Sequence, residues 1–249
     1  MLNYFTTLDE RGADNEQEFE RQEAKIVAAL SRLDADVVGL IEIENNGTAL
    51  DTLFAALDDE VGAGTYAGVT TGPMGTDAIT TALIYQPARV TPDGDFATLT
   101  SADDARLLDS KNRPALAQTF TEATTGESVT VVVNHLKSKG SSCEDVDDPE
   151  DPDGQGNCNG VRTAAALALA DWSTDDPTGT GESDVVVIGD LNAYDKEDPI
   201  AALSHAGFVD LIADRQGEEA HSYVFNSQLG YLDYALANPT RPPTRWWSA

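Results

Sequence analysis

Apolar and polar positions alternate along this chain in two different rhythms. From Glu16 to Leu33, the apolar residues Phe19, Ile26, Val27, Leu30 and Leu33 recur at helical spacing with charges between them. Asp14 and Asn15 stand just before, as side chains suited to cap a first turn. The pattern predicts a helix over 16–33. Asp36 to Ile43 is an apolar run too short for a helix and predicts a buried strand. Thr81 to Tyr85, Ala115 to Phe120, Val129 to Val133 and Asp184 to Ile188, rich in Val, Ile and aromatics, predict four more, and Tyr231 to Ala237 a last one. Thr48 to Leu57, the Ala/Leu-rich Val161 to Trp172, and Pro199 to Ser204 with its Pro in the first turn predict helices. Helices and strands interleave and the middle is strand-rich. That combination favours an α/β sandwich with mixed sheets over a purely parallel sheet.

Composition narrows the picture. The 249 residues suffice for one large domain with a real core. No apolar run approaches the ~20 residues that span a bilayer, and no basic, hydrophobic leader opens the sequence as given. With 15 Lys+Arg against 44 Asp+Glu the formal charge is -29. This excludes a simple electrostatic nucleic-acid binder, since such domains are basic. A polyanion would need a local basic patch or metal ions. Asp supplies 28 of the acids and Lys 5 of the bases, a surface suited to high salt, where repulsion is screened. An ordinary acidic secreted protein is the alternative. The acids concentrate between Cys143 and Cys158, the two cysteines of the chain, in a segment whose one apolar side chain is Val146. A disulfide closing it would contribute about 3 kcal/mol in the chain-entropy model and imply an oxidising compartment. Two unrelated thiols are the other reading. The acids suit Ca²⁺ by type but not by EF-hand spacing, which favours a solvated loop.

Polar clusters sit at the ends of three apolar runs. Val185-Val186-Val187-Ile188-Gly189-Asp190-Leu191-Asn192 puts Asp190 and Asn192 on one side of a strand exit, where a carboxylate and a carboxamide orient water and a phosphate; an ordinary turn would also use both residues. Val131-Val132-Val133-Asn134-His135-Leu136-Lys137-Ser138-Lys139 places His135 to donate to a phosphoryl oxygen and Lys137 or Lys139 to offset phosphate charge. A structural His is the competing reading. Glu42 and, nearer the strand end, Glu44 lie in an otherwise apolar strand, where a carboxylate is costly unless paired or metal-bound.

These three insertions belong to a longer set of blocks: LNYFTTLDERGADNEQEFERQEAKIVAALSRLDADVVGLIEIENNG, GTDAITTALIYQPARV, NRPALAQTF, VVVNHLKSKGSSC, GQGNCNGVRTAAALALADW, VVVIGDLNAYDKEDPI and GYLDYALAN. In this order they resemble the extracellular, ExeM-like nucleases of the endonuclease/exonuclease/phosphatase superfamily, which includes deoxyribonuclease I. The resemblance implies a four-layer α/β sandwich, two central mixed sheets flanked by helices. It implies Mg²⁺, or Mn²⁺ or Ca²⁺, held by Glu42. Asp190 would activate or position the attacking water, Asn192 would position Asp190 and the phosphate, and His135 would bind the scissile phosphate. Asp77 would orient His135. Asn112 and Arg113 would run beside the substrate with Lys137 and Lys139. The implied protein is a secreted monomer acting on a nucleic acid, DNA first and RNA second, with no membrane partner.

The sequence departs from that family at two places. The family's first strand carries an Asn upstream of the Leu2-Asn3-Tyr4-Phe5 block, and Asn3 corresponds to a later Asn. The family also closes on a Trp-His-Ile-Asn-Ala-Asp-Glu-Pro type block, with a His that Asp233 would pair with, and nothing after Asp233 matches it. From Tyr234 to Ala249 there is no acid. The expectation is a catalytic domain over 1–238 that lacks parts of its first and last core strands, then a divergent or truncated tail over 239–249. A phosphomonoesterase or lipid phosphodiesterase on the same scaffold is the alternative enzyme. A catalytically weakened domain that acts as a binding module is the alternative outside catalysis.

Overall fold

The computed structural model describes residues 1–217, 219–225 and 227–238; the expected divergent tail lies outside them. The chain runs α1 (Glu16–Leu33), β1 (Val37–Glu44), α2 (Ala49–Val61), β2 (Ala67–Gly68), β3 (Ile79–Tyr85), β4 (Val90–Leu99), β5 (Ala115–Glu122), β6 (Ser128–His135), α3 (Asn159–Thr174), β7 (Val185–Asp190), α4 (Asp198–His205), β8 (Val209–Asp210), α5 (Leu211–Gln216), β9 (Tyr223–Phe225), β10 (Gln228–Gly230) and β11 (Asp233–Ala237). α1 starts where its caps predict: Asn15 Oδ1 accepts the Glu18 N–H at 3.1 Å, and the Glu18 carboxylate accepts the Asp14 N–H at 3.1 Å.

The strands form two main sheets. One has the order β1-β3-β2, with Tyr4 bridging parallel to Ile43 at its edge. The other has the order β4-β5-β6-β7-β11-β8 and is antiparallel except for the β6–β7 pair. Parallel neighbours need a crossover, and α3 lies within it. The sheets face each other through Leu83, Leu116, Phe120, Val131 and Val133. Behind one sheet pack Val27 and Leu30 of α1 and Leu53 and Leu57 of α2. Behind the other pack Ala165 and Leu169 of α3 and Ile200 and Leu203 of α4. The result is the expected helix–sheet–sheet–helix sandwich. Burial on both faces explains why the central strands read as unbroken apolar runs.

The pattern missed β4, the edge of the six-stranded sheet. Its sequence holds Pro92 and Gly94, only its end residues Val90 and Leu99 are buried, and its pairing slips between Asp93 and Ala97. Nothing buried forces an alternation on it. The short elements β2, β8, β9, β10 and α5 were missed for want of length.

Cys143 and Cys158 form a disulfide, so the reading as free thiols is set aside. Both are fully buried against Val161. The closed loop also caps α3. Cys158, the residue before the helix, is left-handed at φ 63° and offers no side-chain cap. Asp148 of the loop takes over, accepting the Val161 N–H at 2.7 Å and the Gly160 N–H at 3.3 Å.

Gly189 sets the spacing of the β6–β7 pair. Its φ is +126°, and a Cβ there would lie 2.0 Å from the Asn134 carbonyl oxygen. Gly189→Ala is expected to lose about 3 kcal/mol or more in urea unfolding. Gly126→Ala, at φ +73° with nothing within 4 Å of the added methyl, loses about 1–2 kcal/mol from backbone strain alone. Equal losses would show that the backbone contact is not what fixes Gly189.

Candidate active site

Three neighbouring strands bring three of the expected residues into one row. In the parallel pair His135 stands opposite Asp190, and in the antiparallel pair Asp190 stands opposite Asp233. Glu42 comes from the facing sheet. There β1 slips register against β3 between Leu40 and Ile43, and Glu42 takes a left-handed φ of 59°. The irregularity re-aims the carboxylate. Its Oε2 accepts the Asn3 N–H at 3.0 Å. Glu44 serves a separate purpose. It accepts the Thr6 N–H and hydroxyl at 2.7 and 2.8 Å and the Thr7 N–H at 3.0 Å. Burial works to raise its pKa, but these bonds outweigh it and hold the carboxyl below the ordinary value.

Asp190 is held at one oxygen, Oδ1, which accepts the Asn192 N–H at 2.7 Å. Asn192, left-handed at φ 48°, donates its carboxamide Nδ2 to the Leu136 carbonyl at 3.0 Å. It therefore positions Asp190 through its backbone and ties the end of β7 to the end of β6 through its side chain. Asp190 Oδ2 lies 3.8 Å from His135 Nε2. Burial, then Asp233 and Glu42, push the Asp190 pKa up to about 7. Asp233 is raised too, by burial and by Glu42. His135 is 4% exposed; burial, then Arg113 and Lys137, push its pKa down to about 3. It is a neutral imidazole at neutral pH.

A cationic rim adjoins this row. Asn112 Oδ1 accepts the Lys137 N–H at 3.0 Å, which turns its Nδ2 away from that bond. Lys137 reaches Ser141 Oγ at 2.6 Å. Arg113 pairs through Nη2 with Asp77 at 2.9 Å, and Arg11 pairs with the same carboxylate at 3.0 Å. Two of the expected residues have fixed partners here. Asp77 pairs with the two arginines and also acts electrostatically on His135, whose Nδ1 is buried with no hydrogen-bond partner. Lys139 is paired within the protein. Its ammonium pairs with Glu197 at 2.5 Å and lies 4.6 Å from the centre of the Tyr194 ring.

Sequence reasoning overlooked Arg11 and Arg162. Arg162 is fully buried and donates to the carbonyls of Lys137 at 3.3 Å, Asn157 at 2.6 Å and Gln155 at 3.0 Å. It pins the disulfide loop to the segment after His135. A single base within an Ala/Leu helix was the signal available for it.

The profile of the Endonuclease/Exonuclease/phosphatase family matches residues 11–248, and the chain belongs to that family. It is a phosphoesterase-type hydrolase with a deoxyribonuclease I-like fold. Among solved structures it is similar to the catalytic domain of human Nocturnin with bound sulfate, at 18% identity and TM-score 0.63 over 90% of this chain and 76% of that one. It is similar to D. rerio TDP2 complexed with single-strand DNA product, at 14% identity and TM-score 0.58 over 90% and 80%. It is also similar to a mannosyl-6-phosphatase of Bacteroides thetaiotaomicron, at 14% identity and TM-score 0.59 over 91% and 82%. No curated protein sequence matches the chain.

The donor set fits a divalent ion of the Mg²⁺ kind. Among the described residues no group of three His, Cys, Asp or Glu side chains forms a metal cage. Mg²⁺ needs none, since it takes one or two carboxylates and keeps waters. The Asp190 and Asp233 carboxyls are raised first by burial and further by Glu42, so the three carboxylates lie within one another's field.

Because folding raises the Asp190 pKa, the folded state holds that proton more tightly than the unfolded chain. The associated stability is present below about pH 4 and is lost as pH rises to about 7. Asp190→Asn, neutral throughout, is therefore expected to melt with wild type near pH 4 in EDTA. At pH 8 it is expected to melt about 5–10 °C higher, from a difference on the order of 2–4 kcal/mol. A gap that stays constant or narrows with pH in thermal unfolding would contradict the burial of a charged Asp190.

Proposed function

We propose that this chain is a secreted, divalent-metal-dependent nuclease that hydrolyses phosphodiesters of DNA, in the manner of the ExeM-like extracellular enzymes. One observation carries the reading. Beside the His135–Asp190 row, Asn112 Nδ2, Arg113 Nε and Arg113 Nη1 are buried donors without acceptors. Unpaired buried donors are costly, and an anionic phosphate is an acceptor that neighbouring amide and guanidinium N–H groups suit. The single-strand DNA product held by the fold neighbour TDP2 supports a nucleic-acid substrate. The disulfide supports an oxidising, extracytoplasmic setting, and among the described residues no helix is long and apolar enough to cross a membrane.

In this reading neutral His135 donates a hydrogen bond to a phosphoryl oxygen. Asp190, anchored at Oδ1, keeps Oδ2 to orient the attacking water and accept its proton, and a pKa near 7 suits that task at neutral pH. Arg113, fixed on one side by Asp77, aims its remaining N–H groups at charge that builds on the phosphoryl oxygens. Glu42 would hold the metal, which supplies charge neutralisation at the phosphoryl and leaving oxygens when bound. Water attacks phosphorus in line as the bond to the leaving oxygen breaks.

Supercoiled-plasmid nicking tests this directly. Cleavage is expected with Mg²⁺, Mn²⁺ or Ca²⁺ and none in EDTA, with bis(p-nitrophenyl) phosphate turned over well ahead of p-nitrophenyl phosphate. His135→Ala and Asp190→Ala each lower the rate by about 10³-fold or more. Faster turnover of the monoester would assign a phosphatase. DNA binding without hydrolysis would assign a binding module. Full activity in either variant would overturn the site.

A further inference from the structure

The disulfide-closed loop carries seven acids, Glu144, Asp145, Asp147, Asp148, Glu150, Asp151 and Asp153, and no base. Among the described residues, Asp145 is the one of these that forms an ion pair. Both its oxygens lie 2.7 Å from the Lys111 ammonium. The two partners differ in setting. The Lys111 side chain is 11% exposed and that of Asp145 is 66% exposed. The cation is built into the fold while the anion rests on it from outside. Lys111 itself sits on a turn whose Lys111 and Asn112 N–H groups both donate to the Leu108 carbonyl, at 2.9 and 2.8 Å.

Lys111 directly precedes Asn112 and Arg113, whose three unpaired donors face no acceptor. Asn112 in turn fixes the backbone of Lys137. Burial, then Arg113 and Lys111, depress the Lys137 pKa. Three cations thus stand within one another's field in a protein whose bases are outnumbered 44 to 15. Asp145 reaches Lys111 and leaves the Asn112 and Arg113 donors unsatisfied.

We infer that Lys111, with Arg113 and Lys137, forms a subsite for a non-scissile phosphate of the substrate chain, and that Asp145 occupies it as an internal counter-charge that the phosphate displaces. The inference rests on the nuclease reading and adds to it a residue, Lys111, that selects a polymeric diester over an isolated phosphate ester. A backbone phosphate offers two anionic oxygens where Asp145 offers two, but it arrives on a chain already held at the scissile position, so its local concentration exceeds what a single exposed ion pair resists.

The test is fluorescence anisotropy of a short fluorescein-labelled phosphorothioate DNA, which resists cleavage, titrated in Mg²⁺ at low salt. Asp145→Asn is expected to tighten binding about two- to fivefold, the range set by an exposed ion pair. Lys111→Gln weakens it to a similar extent, and Lys111→Arg retains it. In a Lys111→Gln background Asp145→Asn loses most of its effect, because the ion pair of Asp145 is with that ammonium. Asp147→Asn, an equal change of charge on the same loop, serves as the comparison. Equal tightening by Asp145→Asn and Asp147→Asn, or tightening that persists without Lys111, would reduce the effect to net charge and overturn the subsite. If wild type binds and nicks DNA while Asp145→Asn leaves Kd unchanged, the subsite fails and the nuclease reading stands. If wild type neither binds nor nicks, both fail.

Discussion

The close parallel contact of β6 with β7 at Gly189 underlies the chemistry of this fold. Because no side chain intervenes between that residue and the Asn134 carbonyl, the two strands end together. His135 and Asp190 then face each other across one rung, with Asp233 on the next. Asn192 and Leu136 lock the exits of the same two strands by a hydrogen bond from side chain to backbone. Alternation does the rest. Odd-numbered positions of β6 face the seam between the sheets, where Glu42 waits on the opposite wall, and even-numbered ones pack under α3.

Electrostatics at this row runs against stability. Asp190 is buried near two further carboxylates, while His135 is kept neutral by its surroundings. The two groups bias stability in opposite directions with pH. Asp190 favours the fold in acid, whereas His135, whose unfolded form takes up a proton more readily, disfavours it as pH falls from about 6.5 toward 3. The acidic body of the protein offers no general relief. The cations near the site are few and individually fixed: Arg113 by Asp77, Lys137 by Ser141, and Arg162 by three carbonyls. A net charge of -29 is thus compatible with a local surface that receives phosphate.

The central strands and α1 were legible because burial imposes their patterns. Val131 to Val133 and Val185 to Val187 must be apolar on both faces, and Asn15 marks a helix start in sequence as it does in space. Even so, Leu33, counted in the apolar stripe of α1, is 61% exposed at the last turn. The edge strand β4 was illegible because solvent accepts almost any residue there. Within the site, the residue types at strand ends were readable, and their division of labour was not. The register slip that aims Glu42, the diversion of Lys139 to Glu197 and the claim of two arginines on Asp77 depend on contacts between residues far apart in sequence. Spacing along the chain carries no record of them.

The order of strands has a bearing on how the site comes into being. His135, Asp190 and Asp233 lie on three adjacent strands, yet the first two are joined through the disulfide loop and α3, and the last two through α4, α5 and the β9–β10 hairpin. No short contiguous fragment contains the row, and each of its rungs closes a long loop, the slow and entropically costly kind of contact. Assembly of the row is therefore a late event for this topology, and partly folded chains hold its groups apart. Whatever the row does to a phosphate ester becomes possible once the long-range pairing is complete, which makes the chemistry a readout of native topology and not of any local motif.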